Sequence, residues 1–154
     1  MMITQRLRTN AGDLADRLAD LVGQLAEDGG LCSRRAYRLR LAADEITTNI
    51  AVHGYRGRAG TVDVFGGVEP DRVWLRIEDC APPFDPRNRV KPPSLTDPML
   101  CEVGGLGLYL AVSSVDELGY TREHGRNRTE LVMRRTPLLE DGGRDGRNHR
   151  DCHC

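Results

Sequence analysis

Six of the chain's eight prolines fall between Cys80 and Val103, at Pro82, Pro83, Pro86, Pro92, Pro93 and Pro98. Proline has no backbone N–H to give, so this stretch can be neither a continuous helix nor a central strand. The chain has 154 residues, enough for one domain with a real core and too few for two ordinary ones. A loop of this length inside a single domain is uncommon and usually functional, such as a lid, which we place at about residues 86–103.

The segments around the loop have clear periods. Met2 to Arg8 alternates and predicts a short edge strand. Asn10 or Asp13 can cap a helix in which Leu14, Leu18, Leu21, Val22 and Leu25 make one apolar face, ending at Gly29-Gly30. Ser33 offers the cap of a second helix, running to about Val52 with Leu39, Ala42, Ala43, Ile46 and Ile50 inward and a glycine stop at His53-Gly54-Tyr55. Thr61 to Val68 and Arg72 to Glu78 predict a hairpin around Glu69-Pro70-Asp71. Gly104-Gly105-Leu106-Gly107 leads into a third helix over Leu108 to Val115. A second hairpin, Glu117 to Glu123 and Thr129 to Arg135, turns at Gly125-Arg126-Asn127. We assign residues 1–136 to the domain and 137–154 to a polar, structureless tail.

Charge narrows the function classes. With 22 Lys+Arg against 23 Asp+Glu, the formal net charge is -1, which argues against direct nucleic-acid binding by bulk electrostatics. No run approaches the roughly 18 apolar residues of a membrane span, and residues 1–16 lack the apolar core of a signal peptide. The five cysteines, odd in number and without a CxxC pair, fit a reducing cytosol, so the expected location is cytoplasmic. The four histidines do not converge on a metal site in sequence. Cys152-His153-Cys154 could bind zinc, but at a chain end it reads as disordered.

Three places could carry chemistry. Glu45 and Asn49 lie one turn apart on one helical face, with His53 a turn further on. A carboxylate can take a proton there while an amide oxygen coordinates a hard cation such as Mg²⁺; taken alone, the pair reads as a solvated helix face. Asp79 ends an apolar strand and enters the rigid turn Ala81-Pro82-Pro83-Phe84-Asp85-Pro86, where a carboxylate can accept from a donor such as an exocyclic amine or simply initiate the turn. Gly104, Gly105 and Gly107 free backbone N–H groups to approach a phosphate at a helix start, or form only a helix-entry turn. No Gly-Lys-Ser/Thr follows, so this is not a P-loop.

In this order and spacing the three sites resemble the GHKL ATP-binding superfamily. Ala43-Asp44-Glu45-Ile46-Thr47-Thr48-Asn49-Ile50-Ala51-Val52-His53-Gly54-Tyr55 looks like its N box. Asp79-Cys80-Ala81-Pro82-Pro83-Phe84-Asp85-Pro86 looks like the first glycine box, and Gly104-Gly105-Leu106-Gly107-Leu108 like the second. The stand-alone size, His53-Gly54-Tyr55 and the Pro83-Phe84-Asp85-Pro86 turn are similar to the anti-sigma regulatory kinase branch. One departure is Ala81, where the family usually carries glycine; a position needing positive φ would make alanine cost roughly 1 kcal/mol.

The resemblance implies an α+β, two-layer α/β sandwich of the Bergerat type, a mixed, mostly antiparallel sheet with three helices on one face. It implies ATP and Mg²⁺ as cofactors. Glu45 would be the catalytic base, Asn49 the Mg²⁺ ligand and Asp79 the adenine acceptor. Ala81, Gly104, Gly105, Gly107 and Thr129 would complete the nucleotide site. It further implies a serine kinase that acts as an anti-sigma factor, with a sigma factor and an anti-anti-sigma antagonist as partners and a homodimer as a possible assembly. The rival is a non-catalytic ATP-sensing interaction module of the same fold; a pure binder needs no base, so Glu45 favours the enzyme.

Overall fold

The computed structural model describes residues 1–89 and 105–135. Strand β1 (Met2–Arg8) precedes helices α1 (Leu14–Asp28) and α2 (Ser33–Asn49). Strands β2 (Thr61–Val68) and β3 (Arg72–Asp79) follow, then helix α3 (Gly105–Ser114) and strands β4 (Glu117–Glu123) and β5 (Arg126–Arg134). The expected tail, Gly104 and all but the first residues of the expected lid lie outside the described residues.

The strands form one five-stranded sheet in the order β1-β2-β3-β5-β4, with β1 at an edge as its pattern predicts. Every pairing is antiparallel. The expected mixed sheet is thereby corrected: β5 hairpins back from the edge strand β4 and inserts beside β3, so no two neighbours run the same way. Val62 and Val64 of β2, Val73, Leu75 and Ile77 of β3, and Leu131 and Met133 of β5 share one face and are fully buried. They pack with Leu18, Val22 and Leu25 of α1, Leu39, Ala42, Ala43 and Ile46 of α2, and Leu108 and Ala111 of α3 in one core. Alternation thus produces the two-layer arrangement, three helices on one sheet face.

The opposite face carries charge. Asp63 and Glu78 are nearly buried there beneath arginines: Arg6 donates to Asp63 at 2.6 Å, Arg126 to Asp63 at 2.8 Å, and Arg128 to Glu78 at 3.0 Å. The Arg6 and Arg126 hydrogen bonds hold the Asp63 carboxyl below its usual range despite its burial.

Several boundaries move from their expected places. Asp13 occupies the start of α1 without a side-chain cap bond. Ser33 is the first residue of α2 and not its cap, because the Cys32 carbonyl already accepts from Ala36 at 2.9 Å. After Asn49 the helix widens into a π turn over Ile50–Gly54, closed by the Tyr55 N–H on the Ile50 carbonyl at 2.8 Å. The second hairpin turns at His124-Gly125, both at positive φ, two residues earlier than the expected turn. Asn127 therefore stands inside β5, opposite Asp79.

Candidate functional site

The register that places Asn127 opposite Asp79 also places Thr129 one inward position further along β5, opposite Ile77. Asp79, Asn127 and Thr129 are all at least 97% buried and on the helix-facing side. Above them α2 brings Ile46, Asn49 and Ile50, and the following turn brings His53 and Gly54. With the 81–84 segment these residues line a solvent-open cleft. A second cleft adjoins it, lined by Glu45, Thr48, Asn49, Val52, His53 and Leu108. Asn49 and His53 border both, so a single elongated ligand can span them.

Asp79 has a one-sided set of partners. Its Oδ1 accepts from the Ala81 N–H at 2.9 Å and from Asn127 Nδ2 at 2.9 Å. Among the described residues no donor reaches Oδ2, which leaves one acceptor open to the cleft. Burial pushes the Asp79 carboxyl above its usual range, opposed by the Asn127 and Ala81 hydrogen bonds and by the charges of Arg122 and Arg126. The ionised form is therefore held at a cost to stability at neutral pH, a cost that begins to fall as pH drops through the folded pKa and vanishes below the lower pKa of the unfolded chain.

Ala81 does not adopt positive φ; among the described non-glycine residues only Arg56 and His124 do. Its methyl is accommodated from across the cleft. A Cβ on Gly54 would stand 2.9 Å from the Ala81 Cβ, so the glycine after His53 makes room for the alanine of the turn. Tyr55 fastens the same corner: its hydroxyl accepts from the Cys80 N–H at 2.9 Å and donates to the Thr61 carbonyl at 2.8 Å. Replacing Tyr55 by Phe removes both bonds, and we expect a loss of about 1 kcal/mol in unfolding free energy. Denaturant titration showing no loss would mean that the hydroxyl bridges nothing of consequence.

On the other side, Glu45 is half-buried and close to the first turn of α3. A Cβ on Gly107 would lie 2.8 Å from the Glu45 carboxyl carbon, so any larger residue there would make the carboxylate shift. Gly105 is the first residue of α3. The glycines expected to precede the helix, Gly105 and Gly107, thus lie within its opening turn. Asn49 joins two groups of site residues: it shares one cleft with Asp79, Ala81, Asn127 and Thr129 and the other with Glu45.

Sequence reading missed Asn127. Its Nδ2 donates to Asp79 Oδ1, the Ala81 carbonyl at 3.0 Å and the Pro82 carbonyl at 3.2 Å. Its Oδ1 accepts from the Tyr120 hydroxyl at 2.6 Å and from Arg122 at 2.8 Å. Alternation counted back from Leu131 and Thr129 was the signal that could have found it.

Comparison with known proteins agrees with this geometry. Residues 9–135 match the family described as histidine kinase-like ATPase domain. A protein named serine-protein kinase RsbW from Bacillus licheniformis is 34% identical over 125 residues, covering 73% of this chain and 78% of that protein. A protein named anti-sigma F factor from Clostridium acetobutylicum is 22% identical over 103 residues, covering 67% of this chain and 72% of that protein. Among the described residues no helix is long and apolar enough to cross a membrane.

Proposed function

Since this chain belongs to the histidine kinase-like ATPase domain family, we propose that it binds ATP with Mg²⁺ and phosphorylates a serine of a partner protein. The observation that carries this reading is the Asp79 carboxylate, buried with Oδ1 doubly donated and Oδ2 left to accept an amine. The exocyclic amine of adenine supplies such a donor at the edge of a flat, apolar base. Thr129 stands beside Asp79 on the same wall and Ala81 forms the edge of the turn.

The residues present also fit a metal-bound polyphosphate. Asn49 offers a neutral amide oxygen in the same cleft as the Glu45 carboxylate, an oxygen donor set that suits a hard cation. Bound Mg²⁺ supplies charge neutralisation on the phosphate oxygens during transfer. Gly105 and Gly107 present backbone at the start of α3, and Gly104 precedes them in sequence. Glu45 takes the proton of the serine hydroxyl as its oxygen bonds to the terminal phosphorus and the bond to the ADP oxygen breaks.

The names of the relatives support a wider role. We place the chain in the cytoplasm as an anti-sigma factor that sequesters a sigma factor and phosphorylates an anti-anti-sigma antagonist. One added phosphate, about −2 in charge, would then weaken the antagonist's contact and bias partner exchange. The test is transfer of labelled phosphate from ATP to a serine of the antagonist that co-purifies with this chain. Labelled phosphoserine is the expected product. Tight ATP binding with no transfer to any co-purifying protein would replace the kinase by the non-catalytic ATP-sensing module.

A further inference from the structure

Asn127 has chemistry that the site's other residues do not explain. It is 2% exposed, yet both ends of its amide are fully engaged. Three acceptors surround Nδ2, and Oδ1 meets the Arg122 guanidinium, which can only donate. The reversed orientation would set an oxygen against three acceptors, so chemistry fixes the amide one way. Arg122 reinforces the clamp by donating to the Ala81 carbonyl at 3.1 Å. One side chain of β5 thus ties the end of β3 to the turn that follows it.

From this we infer that Asn127 is the positioning residue for base recognition: it occupies Asp79 Oδ1 as a donor, so that Oδ2 alone, as an acceptor, faces the base. The inference rests on the ATP reading above and adds to it the residue that decides which oxygen reads the amine. A donor on Oδ1 also favours the ionised carboxylate against its burial. Charged and titratable groups near the pair are Arg122 and Tyr120 from β4, Arg126 from β5, His53 and Tyr55 after α2, and Cys80 beside Asp79.

The Asn127→Asp variant separates positioning from mere packing. It preserves size, and while the new carboxyl holds a proton it can still donate to Oδ1. Once both carboxyls ionise, about 3 Å apart, they repel and the donor is gone. The ratio of variant to parent Kd for ATP, measured by calorimetry on the full chain, should rise at least about tenfold between pH 6 and pH 9. Taking the ratio cancels the titration of ATP itself. Asn127→Ala, with no donor at any pH, should bind ATP at least about tenfold more weakly throughout. A pH-independent ratio for Asn127→Asp in a folded variant would overturn the inference.

A second readout needs neither variant nor ATP. In the unaltered chain, the Asn127 side-chain amide proton resonances should shift as Asp79 titrates. Resonances that stay fixed through that titration would also overturn the inference. A parent chain that fails to bind ATP while those resonances follow Asp79 sinks the ATP reading, and the base-recognition role with it, and leaves only the Asn127–Asp79 hydrogen bond standing.

Discussion

Glu45→Gln lowers phosphoryl transfer to the partner serine by about 10²–10⁴-fold, the usual contribution of a general base, while ATP affinity and folding stay near those of the parent. The geometry separates these effects. Glu45 lies half-buried in the second cleft, away from the Asp79 end, so losing its charge leaves base recognition intact. The amide is also the same size beside Gly107, where α3 lies close to the end of the Glu45 side chain. Asn49→Ala should behave differently, because Asn49 borders both clefts. Because Asn49 is the proposed Mg²⁺ ligand, its removal should weaken Mg²⁺-dependent ATP binding together with transfer. Single-turnover transfer alongside calorimetry distinguishes the two variants. Transfer by Glu45→Gln at the parent rate would mean that another group accepts the proton.

Asp79→Asn weakens ATP binding by about 2 kcal/mol or more, roughly 30-fold in Kd. Ala81 N–H and Asn127 Nδ2 both donate to the Oδ1 position, so the new amide must keep its oxygen there. Its nitrogen then replaces Oδ2 and presents a donor to the donor of the base. Stability should not fall with affinity. The Asp79 pKa is raised by burial, so the ionised carboxylate costs stability at neutral pH and a neutral amide removes that cost. Unfolding midpoints at or above the parent's, together with the affinity loss, are the expected pair of results. A variant that binds ATP as tightly as the parent would remove Asp79 from base recognition.

The helical layer was legible because burial repeats at helical spacing. Leu18, Val22 and Leu25 and then Leu39, Ala43 and Ile46 form apolar stripes whatever they pack against. Strand existence was equally legible in the alternation of Val73, Leu75 and Ile77. Strand order was not, because alternation says which face a residue takes and nothing of its neighbour. That is why the expected mixed sheet is replaced by an all-antiparallel one with β5 between β3 and β4.

Within the candidate site, Glu45, Asn49 and Asp79 were singled out because a motif order marked them. Asn127 was hidden by its local chemistry. Gly125-Arg126-Asn127 reads as a turn, yet His124 takes φ 49 beside Gly125 at φ 75, so the chain reverses two residues sooner. A histidine at positive φ is not predictable from its type. The partners of Asn127, 45 to 48 residues away at Asp79, Ala81 and Pro82, have no sequence signature. The fit of Ala81 was equally illegible, since its room comes from Gly54 across the cleft.

Calorimetric titration of the unaltered chain with Mg-ATP and Mg-GTP tests the central claim most directly. Guanine presents a carbonyl where adenine presents its amine, so the unclaimed Asp79 oxygen meets an acceptor in place of a donor. We predict saturable ATP binding and GTP binding weaker by about 30-fold or more. Equal affinity for the two nucleotides, or no binding of either, would contradict the account.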